Sequence, residues 1–172
     1  MNWTDYCRPT TAYRYFPTQQ SLLLEVGLGT MHPSPASLLE GVPVDDPRAR
    51  FEILLRAVHA YMTSEEALFR TVMKVTQERW LESSDRADHD PVVREGRRLD
   101  HIDAVLEPLG DELDGEALAR LRSALALVFG IEPIVILKDV CGLNSSEALK
   151  VLEWVGTTLI GASQTRSSGS RF

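Results

Sequence analysis

Apolar residues recur at helical spacing along most of this 172-residue chain. Phe51, Leu54, Leu55, Val58, Tyr61 and Met62 form one such series. Asp46-Pro47 opens it, the aspartate as N-cap and the proline at a first helical position where no N–H is needed. Thr63 and Glu66 then have capping-box spacing, and Ala67, Leu68, Phe69, Val72, Met73, Val75 and Trp80 follow. That second helix is apolar over most of its circumference, so a buried, central position is expected. The polar stretch from Ser83 to Asp90 reads as a loop. Asp90-Pro91 repeats the start signal, and Leu99, Ile102, Leu106 and Leu109 make one face of the helix it opens. Arg94, Arg97, Arg98 and His101 project from roughly the opposite face, and Pro108 and Gly110 close the element. Asp114 caps the longest predicted helix, Gly115 to about Cys141, with a kink at Pro133 and Gly142 as terminator. Asn144 with Glu147 opens the last helix, which carries Leu149, Leu152, Val155, Leu159 and Ile160 and ends near Ala162. No β-alternation and no internal repeat occur, so the chain is read as all-α.

The start of the chain has a different character. Residues 10–26 read TTAYRYFPTQQSLLLEV. Pro9 suits a first helical position, and Thr10, Thr11, Tyr13 and Arg14 fall on the first turns of a short helix. Phe16-Pro17 ends it, because the residue before a proline is pushed out of the helical region. Thr18 then offers an N-cap to a second helix with Leu22, Leu23 and Val26 on its apolar face. Hydroxyls and phenols at a helix N-terminus suit phosphate and base-edge contacts.

The pattern Thr11-x-Tyr13-x-Tyr15-Phe16, then a turn and an apolar helix, resembles the recognition helix of TetR-type transcriptional repressors. The resemblance implies a TetR-like helical bundle in four parts. Residues 1–26 would be what remains of a helix-turn-helix DNA-binding module, and residues 27–46, rich in glycine and proline, a linker with a turn of helix at Ser37–Glu40. Residues 47–162 would form a regulatory domain for ligand binding and dimerisation, and residues 163–172 a disordered polar tail. Thr10, Thr11, Tyr13 and Tyr15 would be the DNA-contacting set. Two departures are visible. Members of the family carry two further helices before the recognition helix, and here only MNWTDYCR precedes Pro9. Gln19 stands where many relatives have a lysine on the DNA backbone. These 172 residues by themselves are therefore expected to bind DNA poorly.

Charge sharpens that expectation. The chain has 18 basic and 25 acidic residues, a formal net charge of −7, and lacks the basic footprint of a nucleic-acid binder. The apolar fraction of 44% fits a globular chain with a full core. Cys7 and Cys141 are far apart, and no apolar run stands at the N-terminus. Reduced thiols in a cytoplasmic protein are the expectation. The apolar segment ALALVFGIEPIVILKDV is not read as a membrane span, because Glu132, Pro133, Lys138 and Asp139 interrupt it.

No Gly-rich phosphate loop, nucleophile motif, HExxH or CxxC pair occurs, so neither enzyme activity nor a cofactor is expected. His32, His59, His89 and His101 sit on different segments and make no metal-ligand spacing. Glu132, inside an apolar run, must be paired, solvated or facing a cavity. The arginine cluster near residue 97 reads as a solvated face more readily than as an anion site.

Two surfaces remain. The last two helices are apolar over more than one face, and the surplus asks for a partner. The resemblance implies a homodimer built there, with Leu149, Leu152, Val155, Gly156 and Leu159 in its interface. It also implies a pocket for a small apolar ligand between central helices. Tyr61, Phe69, Met73, Thr76, Trp80 and Phe129 are fit to line it, with His59 as a polar contact, although the same residues make ordinary cores. The expected function is a ligand-responsive repressor that binds operator DNA as a dimer. The competing class is a helical dimerisation or small-molecule-binding module that does not touch DNA.

Overall fold

A computed structural model describes residues 34–84 and 98–169. The protein is all-α: no strand occurs among the described residues. These residues divide between two compact units, 34–66 with 98–169 in the larger and 67–84 in the smaller. The expectations for residues 1–26, for the helix start at Asp90-Pro91 and for Arg94 and Arg97 lie outside the described residues. No described helix is long and apolar enough to cross a membrane.

The larger unit starts with a single turn, α1 (Pro35–Leu38), within the predicted linker. Helix α2 (Pro47–Ser64) opens as expected: Asp46 Oδ1 accepts from the Ala49 N–H at 2.9 Å, and Pro47 holds the first position. Asp46→Ala should cost about 1 kcal/mol, the usual loss for an N-cap, while Asp46→Asn keeps the acceptor. Equal denaturation midpoints for wild type and Asp46→Ala would remove the cap from the account. The buried face of α2 is Pro47, Arg50, Phe51, Leu54, Leu55, Val58 and His59, an unbroken i, i+3, i+4 series. Arg50 is the unexpected member. Its Nε donates to the Ala104 carbonyl at 2.9 Å and its NH2 pairs with Glu107 at 2.7 Å, a carboxylate that reaches solvent. The stem fills the core while the charge is led outward, so no bare charge is buried.

Thr63 does not cap the next helix. Its hydroxyl lies inside α2 and donates to the His59 carbonyl at 2.8 Å. Helix α3 (Glu66–Ser84) begins after Glu65 leaves helical geometry, and Glu66 pairs with Lys138. Ser83 and Ser84, expected in a loop, belong to α3.

Helix α4 (Arg98–Leu106) runs into a 3₁₀ turn, Glu107–Leu109. Its buried stripe is His101, Ile102, Val105, Leu106 and Leu109, while Leu99 is exposed. The predicted face was therefore rotated: the imidazole of His101 lies inside and a leucine outside. Helix α5 (Gly115–Ala126) is capped by Asp114 as expected, Oδ1 to the Ala117 N–H at 2.7 Å. Arg122 on α5 donates from Nε and NH2 to both carboxylate oxygens of Asp103 on α4, at 2.6 and 2.8 Å. Hydrogen bonding from Arg122 holds the Asp103 carboxyl below its ordinary range.

The expected long helix from 115 to 141 is three pieces. After α5 the chain turns at residues 127–130, where Gly130 has φ +113 and ψ −177. Helix α6 (Ile131–Val135) follows, then a π-helical turn, Ile136–Val140. The break is at glycine, and Pro133 makes no kink. Pro133 is the third residue of α6, in the first turn, where an amide N–H has no helical partner to lose. Gly142 terminates the segment as expected, at φ +69, and the Leu143 N–H reaches the Leu137 carbonyl at 3.0 Å.

Helix α7 (Ser145–Gly169) starts with a reciprocal cap: Asn144 Oδ1 accepts from the Glu147 N–H, and Glu147 Oε2 accepts from the Asn144 N–H. It continues past Ala162, so residues 163–169 of the predicted disordered tail are helical. Helix α7 packs on α2, α5, α6 and the π turn, and α2 packs on α1, α4 and α7. Phe51 sits at the centre. Its ring meets Phe129 edge-on, 5.6 Å between centroids at 90°, and lies so close over Gly156 that no Cβ fits there.

In the smaller unit the described residues are those of α3 from Ala67 on. Phe69, Val72, Val75 and Thr76 are buried and Thr71, Lys74, Gln77, Trp80 and Leu81 are exposed. The helix is one-sided, which corrects the expectation of a nearly uniform apolar surface.

Candidate functional site

The described features with chemical interest cluster near the π turn. An i→i+5 turn fits one extra residue into the helix and offsets every side chain after it. The Cys141 N–H donates to the Ile136 carbonyl at 3.3 Å across this turn. Ile136 and Val140 are left outward, at 56% and 79% exposure. Lys138 lies between them in sequence but is half-buried, its Nζ 2.5 Å from Glu66 Oε2.

His59 stands at the end of the α2 stripe and is only 5% exposed. Its Nε2 is buried and has no hydrogen-bond partner among the described residues. Burial pushes the imidazole below its ordinary value near 6.5; the charge of Lys138 pushes the same way, and Glu153 on α7 opposes them. Glu153 is itself held by Arg56 Nε at 2.5 Å, and Arg56 also reaches Glu52 at 3.2 Å. A histidine whose folded value is depressed stabilises the fold as the neutral base. That contribution is complete above about pH 6.5 and is lost as pH falls below it toward the folded value.

A second cluster spans the break after α5. Arg98 donates from NH2 to Glu132 Oε2 at 2.6 Å and from NH1 to the Ala126 carbonyl at 3.4 Å. Its guanidinium occupies the space a Cβ on Gly130 would need. Glu132, singled out as a charge in an apolar run, is thus paired. Arg98 and His101 do not form a solvated basic face: the first is engaged with Glu132 and the second is buried.

The ligand-lining set is divided between the two units. In the larger one His59 and Phe129 are buried and Tyr61 is half-buried. Phe129 is fully buried against Phe51, as a core ring. In the smaller one Phe69 and Thr76 are buried, Met73 is half-buried and Trp80 is 52% exposed. The Thr76 hydroxyl donates to its own helix at the Val72 carbonyl, 2.8 Å.

The dimer set separates by helix face. Leu152 and Gly156 are buried in the chain's own core with Ala148 and Ile160. Leu149, Val155 and Leu159 flank that stripe, half-buried. The face opposite carries Lys150, Trp154, Thr158, Ala162 and Thr165, all exposed. Trp154 is 69% exposed and Leu127, in the turn after α5, is 77% exposed. Sequence reading missed Leu127, Ile136, Val140 and Trp154 as outward apolar residues. An i+4 count from Gly156 back to Leu152 and Ala148 was the available signal, since it places Trp154 on the far side. The π turn had no such signal.

Comparison with protein-family models, with curated proteins and with solved structures finds no match.

Proposed function

We propose that the chain is a TetR-like, ligand-responsive transcriptional regulator, a repressor that binds operator DNA as a homodimer and is released by a small apolar ligand. Support comes from one conjunction. The Thr11-x-Tyr13-x-Tyr15-Phe16 pattern stands ahead of an all-helical body whose last elements carry outward apolar residues, Ile136, Val140 and Trp154. Large apolar side chains left in water on two neighbouring elements favour a protein partner. In this reading the second copy covers the π turn and the Trp154 face of α7, and Thr10, Thr11, Tyr13 and Tyr15 contact DNA. Ligand binding shifts the dimer between two arrangements, one of which separates the recognition helices from operator spacing. The second reading, a dimeric helical module without DNA binding, is favoured by the net charge of −7.

The test joins sedimentation with an electrophoretic shift on the DNA adjoining the gene. It uses this chain and a version extended by any in-frame codons upstream. The regulator reading expects a dimer at micromolar concentration and specific binding by the extended version that is lost on Tyr13→Ala. A dimer with no specific binding in either version selects the second reading. A monomer at micromolar concentration overturns both. Trp154→Glu places a charge on the exposed α7 face without touching the Phe51–Gly156 core, so it should dissociate the dimer and leave the helical signal intact. A dimer unaffected by it would move the interface elsewhere.

A further inference from the structure

We propose that His59 is a proton-operated catch: protonation of its imidazole releases Lys138 from Glu66 and frees the π turn. The inference goes beyond the regulator reading and does not depend on it. Its ground is geometric. His59 is buried with Nε2 unpartnered among the described residues, and two elements bring charge toward it. The π turn brings Lys138 and α7 brings Glu153; Arg56, on the same helix as His59, holds Glu153 and reaches Glu52, and Glu66 pairs with Lys138 at the start of α3. Glu153, the carboxylate felt at His59, is already engaged by Arg56, and Glu66 by Lys138.

A proton on His59 therefore adds a buried donor and a positive charge where the neighbouring acceptors are taken. Two responses relieve it. The imidazolium can draw a carboxylate away from its present partner, or the ammonium of Lys138 can leave. Lys138 is the mobile member, a charge on a long flexible stem that already reaches partly into solvent. Glu153 is held by an arginine that also reaches Glu52, so the lysine yields first and the ion pair between Lys138 and Glu66 is the one that opens. That pair ties the π turn to the first residue of α3. A π turn competes poorly against ordinary i→i+4 pairing, so its release changes the register in which Ile136 and Val140 are held. The device would operate in mildly acidic conditions, below the ordinary imidazole value.

The test is an NMR titration of the four imidazoles, assigned through His59→Gln, with amide hydrogen exchange across residues 136–143 measured over the same pH range. Wild type should show His59 titrating below about 6.5 and exchange at 136–143, corrected for its intrinsic pH dependence, rising severalfold through that midpoint. Lys138→Met removes the like charge and the tie together. It should raise the His59 midpoint and give fast exchange at every pH. Glu66→Gln breaks the tie and leaves the lysine, so its exchange should also be fast and independent of pH. A His59 midpoint at or above the ordinary value overturns the proposal, as does a midpoint that Lys138→Met leaves in place. Exchange at 136–143 that ignores the protonation of His59 does so too. If His59→Gln fails to fold, the two charge variants, both at partly exposed positions, still decide the matter.

Discussion

Gly156→Ala should destabilise the protein by about 2 kcal/mol, the ~3 kcal/mol for overpacking a closed core less the ~1 kcal/mol that alanine gains in a helix. The added methyl carbon would lie 2.6 Å from Phe51 Cε2 and closer still to Cζ and Cε1. The ring has nowhere to retreat. Phe51 is fully buried, and the edge of its aromatic contact is closed by Phe129, itself fully buried. Something must shift, and the cheapest shift moves α7 away from α2 along the contact that carries the core. Helix propensity pulls the other way, since alanine in a helix interior is favoured over glycine by up to about 1 kcal/mol. The steric term wins by a factor of about three. Phe51→Leu should cost less than the ~3–5 kcal/mol of deleting a phenylalanine to alanine. The pair Phe51→Leu with Gly156→Ala should cost clearly less than the sum, because the shorter side chain makes room for the methyl. Chemical denaturation of the four proteins completes the cycle. Strict additivity would mean that the two residues do not meet.

The second large effect is expected at Gly130. Its φ of +113 with ψ of −177 lies in a region that residues with a Cβ rarely enter, at a cost of about 1–3 kcal/mol. A Cβ there also meets Glu132 Oε2 at 2.7 Å and overlaps the Arg98 guanidinium. These two contributions separate. The guanidinium is the far end of a flexible chain and can move, losing its pairing with Glu132 and the Ala126 carbonyl. That pair is about a third exposed on each side, so solvent reduces its worth to about 1 kcal/mol or less. Gly130→Ala should therefore lose about 2–3 kcal/mol, of which Arg98→Ala alone reproduces the minor share. In an Arg98→Ala background Gly130→Ala should still be costly. If it becomes neutral there, the collision and not the backbone was the cause.

How much of this was legible in the sequence depends on the range of the interaction. Caps are local, and Asp46, Asp114 and Asn144 with Glu147 each act where their spacing put them. Gly142 ends its segment for the same reason. The errors arose where a distant partner outbid a local pattern. Thr63 and Glu66 have capping-box spacing, but Glu66 is taken by Lys138, seventy-two residues away, and α2 absorbs Thr63. Arg98 and His101 look like a solvated face until Glu132 claims one and the core encloses the other. The long predicted helix broke at Gly130 and not at Pro133 because position within the first turn decides whether a proline matters. For the candidate site, the apolar excess in the last elements was readable, but which residues point outward was not. That choice follows from Phe51 packing onto Gly156, a contact across more than half of the chain.

That same contact sets a timetable for making the protein. Phe51 is synthesised well before Gly156, and between them lie most of the elements of the larger unit. At ordinary synthesis rates the gap lasts on the order of ten seconds. During it the apolar stripe of α2, with Phe51 at its middle, has no α7 to cover it. Helices such as α4 and α5 are near neighbours and can pair as they emerge, held by Arg122 and Asp103. The central layer must wait for α7. Folding of the larger unit is thus held back until α7 has emerged, and until then the nascent chain exposes the apolar face of α2.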